Sequence, residues 1–241
     1  MAVKRRTRST LPKAEARQRY IEIGELMVLE QIAQDAAALD QGELAVGPFA
    51  RLDSAAVAAR TGKTRGALNN LFGSQASFQT ETMALALEAS DWIGRIEYPD
   101  PAQFATDEAW VAALFAGQSA RGPSHGAEPT VSYASLWTLW LSALPYGLWS
   151  DRISRAGLDE WRQWVGHLAE VLGKAMAHYG LRPRDGIALP DLAGAVASLI
   201  EGAWLNQCLT TRHPLDDAEP AAAMLQRAGL MLWRGAVQPR A

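Results

Sequence analysis

Residues 60–74, RTGKTRGALNNLFGS, decide the fold because two incompatible structures can be derived from them. Gly62, Lys63 and Thr64 resemble the end of a phosphate-binding loop, which needs Gly-x-x-x-x-Gly-Lys-Ser/Thr after a buried strand. The first glycine of that motif would stand at position 57, where this chain has Val57. Residues 54–59 are mostly alanine, which favours a helix over a strand. The phosphate-binding loop is therefore excluded.

The same stretch meets the requirements of a helix-turn-helix, in which two short helices pack across a tight turn. Ala58 is small enough to let the second helix approach, and Gly62, four residues on, can take the positive φ of the turn. Thr64 can cap the second helix, whose Leu68 would pack against the first. The exposed face would carry side chains suited to phosphates and base edges: Lys63, Arg65, Asn69 and Asn70. Spacing alone also allows a helical hairpin with a polar outer face.

Residues 57–78, VAARTGKTRGALNNLFGSQASF, resemble the signature of the TetR family of bacterial transcriptional regulators. The positions that match in identity or type are Val57, Ala58, Gly62, Thr64, Gly66, Leu68, Phe72, Ser74 and Phe78. The resemblance implies an all-α homodimer. It divides the chain into a flexible basic arm at 1–12, a three-helix helix-turn-helix DNA-binding domain at 13–75, and a helical effector-binding and dimerisation domain at 76–241.

By this resemblance, residues 64–70 lie in the major groove of DNA. Arg65 would bind guanine bidentately and Asn69 or Asn70 would bind adenine, although each could instead contact phosphate only. The expected contacts of the turn and the second helix are therefore Lys63, Thr64, Arg65, Asn69 and Asn70.

Further DNA contacts are expected at helix starts and in the arm. The backbone amides at Asp53–Ser54 and at Ser74–Gln75 open helices, and helix N-termini attract phosphate. The arm would enter the minor groove or raise nonspecific affinity through Arg5, Arg6 and Arg8. Three positions depart from the family pattern: Lys63 replaces an apolar residue, Asn69 a tyrosine, and Gln75 a lysine that contacts phosphate.

Charge is distributed unevenly along the chain. The 241 residues have a net charge of −3, yet residues 1–20 hold seven basic residues against one acidic residue. Residues 51–75 hold four basic residues against one acidic residue. Such segregation indicates an end that binds a polyanion, although a basic tail with scattered surface arginines would give the same charges.

The rest of the chain is expected to be helical, because alanine and leucine are abundant and glycine and proline separate apolar segments. Residues 182–190 are predicted to be a loop, and no alternation typical of a strand is evident. Pro145 would end or kink an aromatic helix. Helices are predicted at 13–38, 53–60, 64–71, 75–95, 106–117, 130–149, 157–179, 190–210 and 218–235.

Several classes of protein find no support in the sequence. Cys208 is the only cysteine, which fits a cytoplasmic protein, and the four histidines lack metal-ligand spacing. No apolar run reaches the roughly 18 residues of a membrane helix. We find no catalytic, nucleotide, metal or cofactor motif, so we expect neither an enzyme nor a membrane protein.

Tryptophan is abundant in the C-terminal part, which suits a pocket for a small apolar or aromatic effector. The candidate effector residues are Trp110, Tyr133, Trp137, Trp140 and Trp204, with Asn206 to orient the ligand. Plain core packing or interface filling would also explain each of these aromatic residues. Glu201, on the same predicted helix as Trp204, is expected to face solvent or an arginine.

The last two predicted helices resemble the pair through which TetR proteins dimerise. The candidate interface residues are Leu192, Val196, Leu199, Ala203, Leu225 and Leu232, unless these faces pack within one chain. A dimer would place two motifs on a pseudo-palindromic double-stranded operator. The sequence thus favours a ligand-responsive repressor; the alternative is a helical ligand-binding or scaffolding dimer that has lost sequence-specific DNA binding.

Overall fold

The first helices lie close to the bounds predicted from the sequence. The structure, a computed structural model, describes residues 12–44, 46–88, 96–120, 141–142, 144–148, 150–210 and 221–240. Its first four helices are α1 (Lys13–Asp40), α2 (Ser54–Thr61), α3 (Arg65–Phe72) and α4 (Gln75–Glu88). Two 3-10 helices follow at Pro101–Gln103 and Leu144–Leu148, and the later α-helices are α5 (Asp107–Ala120), α6 (Asp151–His178), α7 (Leu189–Thr210) and α8 (Ala221–Ala236).

The chain divides into two units, one made of Met1–Ala89 with Leu139–Ala156 and the other of Ser90–Thr138 with Gly157–Ala241. Within the described ranges, no helix combines the length and the apolarity needed to cross a membrane.

The core of the first unit lies between α1, α2, α3 and α4. Phe72, at the end of α3, meets the edge of Tyr20 at 6.5 Å and that of Phe78 at 5.1 Å between ring centroids. Helices α1 and α4 approach closely at Gly24, where a Cβ atom would lie 2.9 Å from Thr82 Oγ1. Buried side chains from all four helices thus fix α3; they include Ile21, Val28, Val57, Leu68, Phe72 and Phe78.

Residues 150–156 complete the first unit against α4. Ile153 and Ala156 are buried with Met83, Ala84 and Leu87, and Arg152 forms a bidentate ion pair with Glu88. Helix α6 begins at Asp151 rather than at the predicted 157, because Ser150 accepts a hydrogen bond from the Ile153 amide and starts the helix earlier.

The core of the second unit is built from α5, α6, α7 and α8. Trp110 is fully buried, and its indole N–H donates to the Pro99 carbonyl oxygen at 2.8 Å. Helices α5 and α8 approach so closely that a Cβ atom on Gly229 would lie 2.1 Å from the Phe115 ring. Only glycine fits at this crossing.

A small antiparallel sheet joins the chain after α6 to the chain after α8. Strand β1 (Leu181–Pro183) pairs with β2 (Val237–Pro239), with Leu181 opposite Pro239. Two backbone hydrogen bonds of 2.8 Å extend the pairing, from Arg184 N–H to Ala236 O and from Arg240 N–H to Gly180 O. The prediction of a loop at 182–190 without strands was therefore wrong at its start, because three-residue strands are too short to show alternation.

Candidate nucleic-acid interface and small-molecule site

The turn between α2 and α3 has the predicted left-handed glycine. Gly62 has φ 63° and ψ 28°, and the amide of Lys63 donates to the Ala58 carbonyl oxygen at 3.0 Å. Val57, Ala58 and Leu68 are buried across this turn. The glycine thus ends α2 without strain and lets α3 leave at the angle that its buried face requires.

Helix α3 presents one exposed face. Thr64 has extended backbone angles, and its hydroxyl accepts from the Ala67 amide at 3.3 Å, so the predicted cap is confirmed. Leu68 and Phe72 point into the core. The turn and the outer face carry all the predicted groove contacts on exposed positions: Lys63, Thr64, Arg65, Asn69 and Asn70.

The N-termini of α2 and α4 are capped by the chain itself. The Asp53 carboxylate accepts from the amides of Ala55 at 2.7 Å and Ala56 at 2.8 Å. The Ser74 hydroxyl accepts from the Ser77 amide at 3.1 Å and is exposed. These three amides are therefore engaged within the chain.

Gln75 makes a contact that the sequence did not indicate. Its side-chain oxygen accepts from the backbone amide of Ser54 at 3.4 Å and from the Ser54 hydroxyl at 3.3 Å. The same hydroxyl accepts from Arg65 Nε at 3.1 Å. Arg65, Ser54 and Gln75 thus form one chain of hydrogen bonds between the starts of α3, α2 and α4.

Two basic residues near the motif are neutralised by the first unit's own acidic residues. Arg60 forms a bidentate pair with Glu30, at 2.9 and 2.5 Å, and this hydrogen bonding lowers the pKa of Glu30 and raises that of Arg60. Arg17 pairs with Glu81 at 2.9 Å. The charge count of the sequence therefore overstates the positive charge available to a polyanion. Arg5, Arg6 and Arg8 lie outside the described residues.

In the second unit, Trp204 belongs to an aromatic stack whose central ring is Trp164. Its ring stacks on Trp164 with the planes 6° apart and the centroids 5.9 Å apart. Trp161 meets the edge of Trp164 at 5.8 Å. The indole N–H of Trp204 donates to the backbone oxygen of Gln118 at 2.8 Å. Helices α5, α6 and α7 therefore bring aromatic faces and a backbone carbonyl group together.

Other predicted effector residues are placed differently. Trp110 lies in the same core, where its ring centroid is 5.7 Å from that of Trp233. Asn206 lies on α7 with an exposed side chain, outside the buried stack. Tyr133, Trp137 and Trp140 lie outside the described residues.

Two acidic side chains, Glu201 and Glu160, lie beside the aromatic stack. Glu201, one turn before Trp204, is half-buried near the buried carboxyl group of Glu160. Burial first, and the charge of Glu160 second, raise the pKa of Glu201 to about 7. The expectation that Glu201 faces solvent or an arginine was wrong, because the turn of α7 that buries Trp204 also carries Glu201 inward.

The side chain of Gln118 is another polar group in this region. Gln118 is buried, and its side-chain oxygen is the buried side-chain atom without a hydrogen-bond partner in the part of the chain that the structure describes. Such an atom costs free energy unless a donor reaches it. The backbone oxygen of Gln118 accepts the hydrogen bond from the Trp204 indole. The unsatisfied side-chain oxygen therefore belongs to a residue that contacts the stack.

The predicted interface residues are mostly covered by their own chain. Leu192, Val196, Ala203 and Leu225 are buried in the core of the second unit. Leu199 and Leu232 are half-buried. Among the side chains of α7 and α8 whose burial the structure describes, the exposed large apolar ones are instead Leu205, Met224 and Met231.

The first unit also has a cleft that no sequence motif indicated. Its volume is about 330 Å³, and its lining includes Val46, Phe49, Gln79, Met83 and Tyr146. The carboxylate of Asp35 fixes one side of the cleft, because it accepts hydrogen bonds from the backbone amides of Val46 at 3.2 Å and Gly47 at 2.9 Å.

Comparison with known proteins identifies the fold. No protein-family model matches the chain, and no curated protein matches it. A structure described as a transcriptional regulator from Saccharomonospora viridis, in complex with choline, matches with a TM-score of 0.52 and 15% identity, over 93% of this chain and 99% of that one. The chain therefore has the fold of a solved transcriptional regulator, and the predicted all-α regulator fold is confirmed.

Two further structures match at lower TM-scores. A TetR-family transcriptional regulator from Rhodococcus sp. gives a TM-score of 0.47 and 13% identity, over 86% of this chain and 96% of that one. The ketosteroid transcriptional regulator KstR2 of Mycobacterium tuberculosis gives 0.37 and 16%, over 92% and 95%.

Proposed function

We propose that this protein is a DNA-binding transcriptional regulator whose α3 enters the major groove. The observation that carries the proposal is the exposed face of α3, where Lys63, Arg65, Asn69 and Asn70 lie together after the left-handed turn at Gly62. Arginine binds guanine and asparagine binds adenine through edges that only the major groove distinguishes. The fold shared with a solved regulator is consistent with this use of the helix.

Footprinting on the DNA upstream of the protein's own gene tests this proposal. Wild type is expected to protect a pseudo-palindromic site, and Arg65→Ala is expected to lose about 1–3 kcal/mol of base discrimination. Arg162→Ala is a matched control, because Arg162 is an exposed arginine paired with Asp159 on α6. Binding that is neither specific nor salt-sensitive would refute the proposal and favour a ligand-binding or scaffolding dimer.

We infer that the aromatic stack around Trp204 contributes to the effector site. The faces of Trp164 and Trp204 suit an apolar or aromatic ligand, and the unsatisfied oxygen of Gln118 would accept a hydrogen bond from it. Glu160 and Glu201 would add a preference for positive charge, because tryptophan faces and carboxylates both attract cations. The S. viridis regulator was solved with choline, which is such a cation. Tyr133, Trp137 and Trp140 remain predicted members of the site.

Calorimetry with choline and with its uncharged isostere 3,3-dimethylbutan-1-ol tests the charge preference. The wild type is expected to bind choline more tightly, and Glu201→Gln is expected to reduce the difference. Equal binding of the two probes would refute the preference for positive charge, but it would still support a site for apolar ligands. Failure of both probes to bind would exclude ligands of this size and shape.

We propose further that α7 and α8 form the dimer interface through their exposed apolar side chains. Met231 is 74% exposed and Leu205 is 46% exposed, and methionine is enriched at protein interfaces. Met231→Glu is therefore expected to give monomers in sedimentation experiments. The control is Leu148→Glu in the first unit, where Leu148 is 80% exposed. A dimer that survives Met231→Glu would place the interface elsewhere.

The proposed mode of action is repression that an effector relieves. A ligand that binds one arrangement of the dimer more tightly shifts the population towards it. If that arrangement misplaces the two copies of α3 on adjacent grooves, the operator is released.

A further inference from the structure

We propose that Ser54 and Gln75 are positioning residues that hold the Arg65 guanidinium in place for base recognition. The inference rests on the proposed function, since it specifies how one groove contact is prepared. It also assigns a role to Gln75, where the TetR pattern has a lysine.

The geometry of the three residues supports this role. Ser54 is fully buried at the start of α2, so its hydroxyl is a fixed point. Arg65 is exposed at the start of α3, yet its Nε lies 3.1 Å from that hydroxyl. The Gln75 oxygen lies 3.3 Å from the same hydroxyl. The buried Ser54 therefore connects Arg65, which is the only exposed residue of the three, to α4.

The backbone sets the direction of these hydrogen bonds. The Ser54 amide can only donate, so the Gln75 atom that faces it at 3.4 Å is the oxygen. That oxygen also accepts the single hydroxyl proton of Ser54. The lone pairs of the hydroxyl are then left to accept from Arg65 Nε. Gln75 thus makes Ser54 an acceptor for arginine.

Holding Nε has a specific consequence for recognition. The two terminal nitrogens of the guanidinium are the pair that binds guanine O6 and N7 end-on. A side chain already held in one orientation loses less conformational entropy on binding. The hydrogen bond to Ser54 therefore favours a base contact by Arg65 over a mobile contact with phosphate.

A lysine at position 75 would reverse the arrangement. Its ammonium group has donors and no acceptor, so it would donate to the Ser54 hydroxyl and compete with Arg65. It would also repel the guanidinium. Replacement of that lysine by glutamine thus exchanges a phosphate contact for the positioning of Arg65.

The first experiment measures the hydrogen bond without DNA. The ¹⁵N-edited NMR signal of Arg65 Nε–H, assigned with Arg65→Lys, is expected to exchange with water more slowly than that of exposed Arg162. Ser54→Ala and Gln75→Met are expected to remove this protection, and Gln75→Glu, which keeps the acceptor, to retain it. Circular dichroism checks that each variant is folded. Equal exchange of Arg65 and Arg162 in wild type would overturn the inference.

The second experiment measures specificity on the operator found by footprinting. The readout is the ratio of affinities for the operator and for an operator changed at the base pair that Arg65 contacts. Ser54→Ala and Gln75→Met are each expected to reduce this ratio roughly threefold to tenfold. An unchanged ratio in folded variants that have lost the NMR protection would overturn the inference. If wild type binds no specific DNA, the proposed function fails, whereas the NMR result still decides whether the three residues are coupled.

Discussion

Arg17 on α1 holds the end of α3 through Phe72. Its guanidinium carbon lies 4.6 Å from the centre of the Phe72 ring, and its Nη1 donates to the Leu71 carbonyl oxygen at 3.1 Å. The same side chain pairs with Glu81 on α4. One arginine therefore connects three helices, and its charge is used for folding.

Arg17→Ala is expected to destabilise the protein by about 1–2 kcal/mol, since it removes a cation–π contact and a partly exposed ion pair. Urea denaturation measures the free energy of unfolding. Arg19→Ala is the control, because Arg19 is an exposed residue on the same helix. Equal effects of the two variants would mean that the contacts of Arg17 with Phe72, Leu71 and Glu81 contribute nothing measurable to stability.

Gly62→Ala is expected to destabilise the protein by about 1–2 kcal/mol, because φ is 63° there and a Cβ atom is strained in the left-handed region. Gly62→Asn should cost less, since asparagine tolerates this conformation. Gly66→Ala is the comparison within helical geometry, with its nearest neighbour 3.8 Å away. Thermal unfolding ranks the three, and a Gly62→Ala variant as stable as Gly66→Ala would contradict the prediction.

Gly229→Ala is expected to cost about 3 kcal/mol or more, because the new methyl group would overlap the buried Phe115 ring. Gly235→Ala, on the same helix with nothing within 4 Å of its Cβ position, should be neutral or stabilise by up to about 1 kcal/mol. Comparison of their urea midpoints checks the close approach of α5 and α8. Similar midpoints would show that the helices can separate at no cost.

Glu201→Gln is expected to change how stability depends on pH. The folded pKa of Glu201 is raised to about 7 from its ordinary value of 4.5, so its favourable contribution is present below 4.5 and is lost as pH rises through 7. The total loss is at most about 3 kcal/mol. Melting temperatures at about pH 5 and about pH 8 should therefore differ less in the variant than in wild type. An identical pH dependence would place the Glu201 pKa near its ordinary value.

The helix-turn-helix could be predicted from sequence because its determinants lie close together in the chain. The turn at Gly62, the cap at Thr64 and the buried Leu68 each depend on residues a few positions away, and all three are confirmed. The start of a helix at Asp53–Ser54 was predictable for the same reason, and Asp53 caps α2 there.

Contacts between distant residues were beyond the sequence. The pairs Arg60–Glu30 and Arg17–Glu81 depend on how helices pack, so the basic character of the motif was overestimated. The backbone amides at Ser74–Gln75 stay predicted phosphate contacts, whereas the hydrogen bond of the Gln75 side chain to Ser54 depends on the placement of two helix starts. Likewise, the nearness of Glu201 to Glu160 follows from the packing of α7 on α6.

The notch at Gly229 limits how the second unit can move. Phe115 fills the space where any other residue would have a side chain, so neither α5 nor α8 can rotate about its axis or slide along its neighbour without expelling an aromatic ring from the interior. These two helices are therefore expected to move as one rigid element. A conformational change within this unit must therefore move α5 and α8 together or shift α6 and α7 beside them.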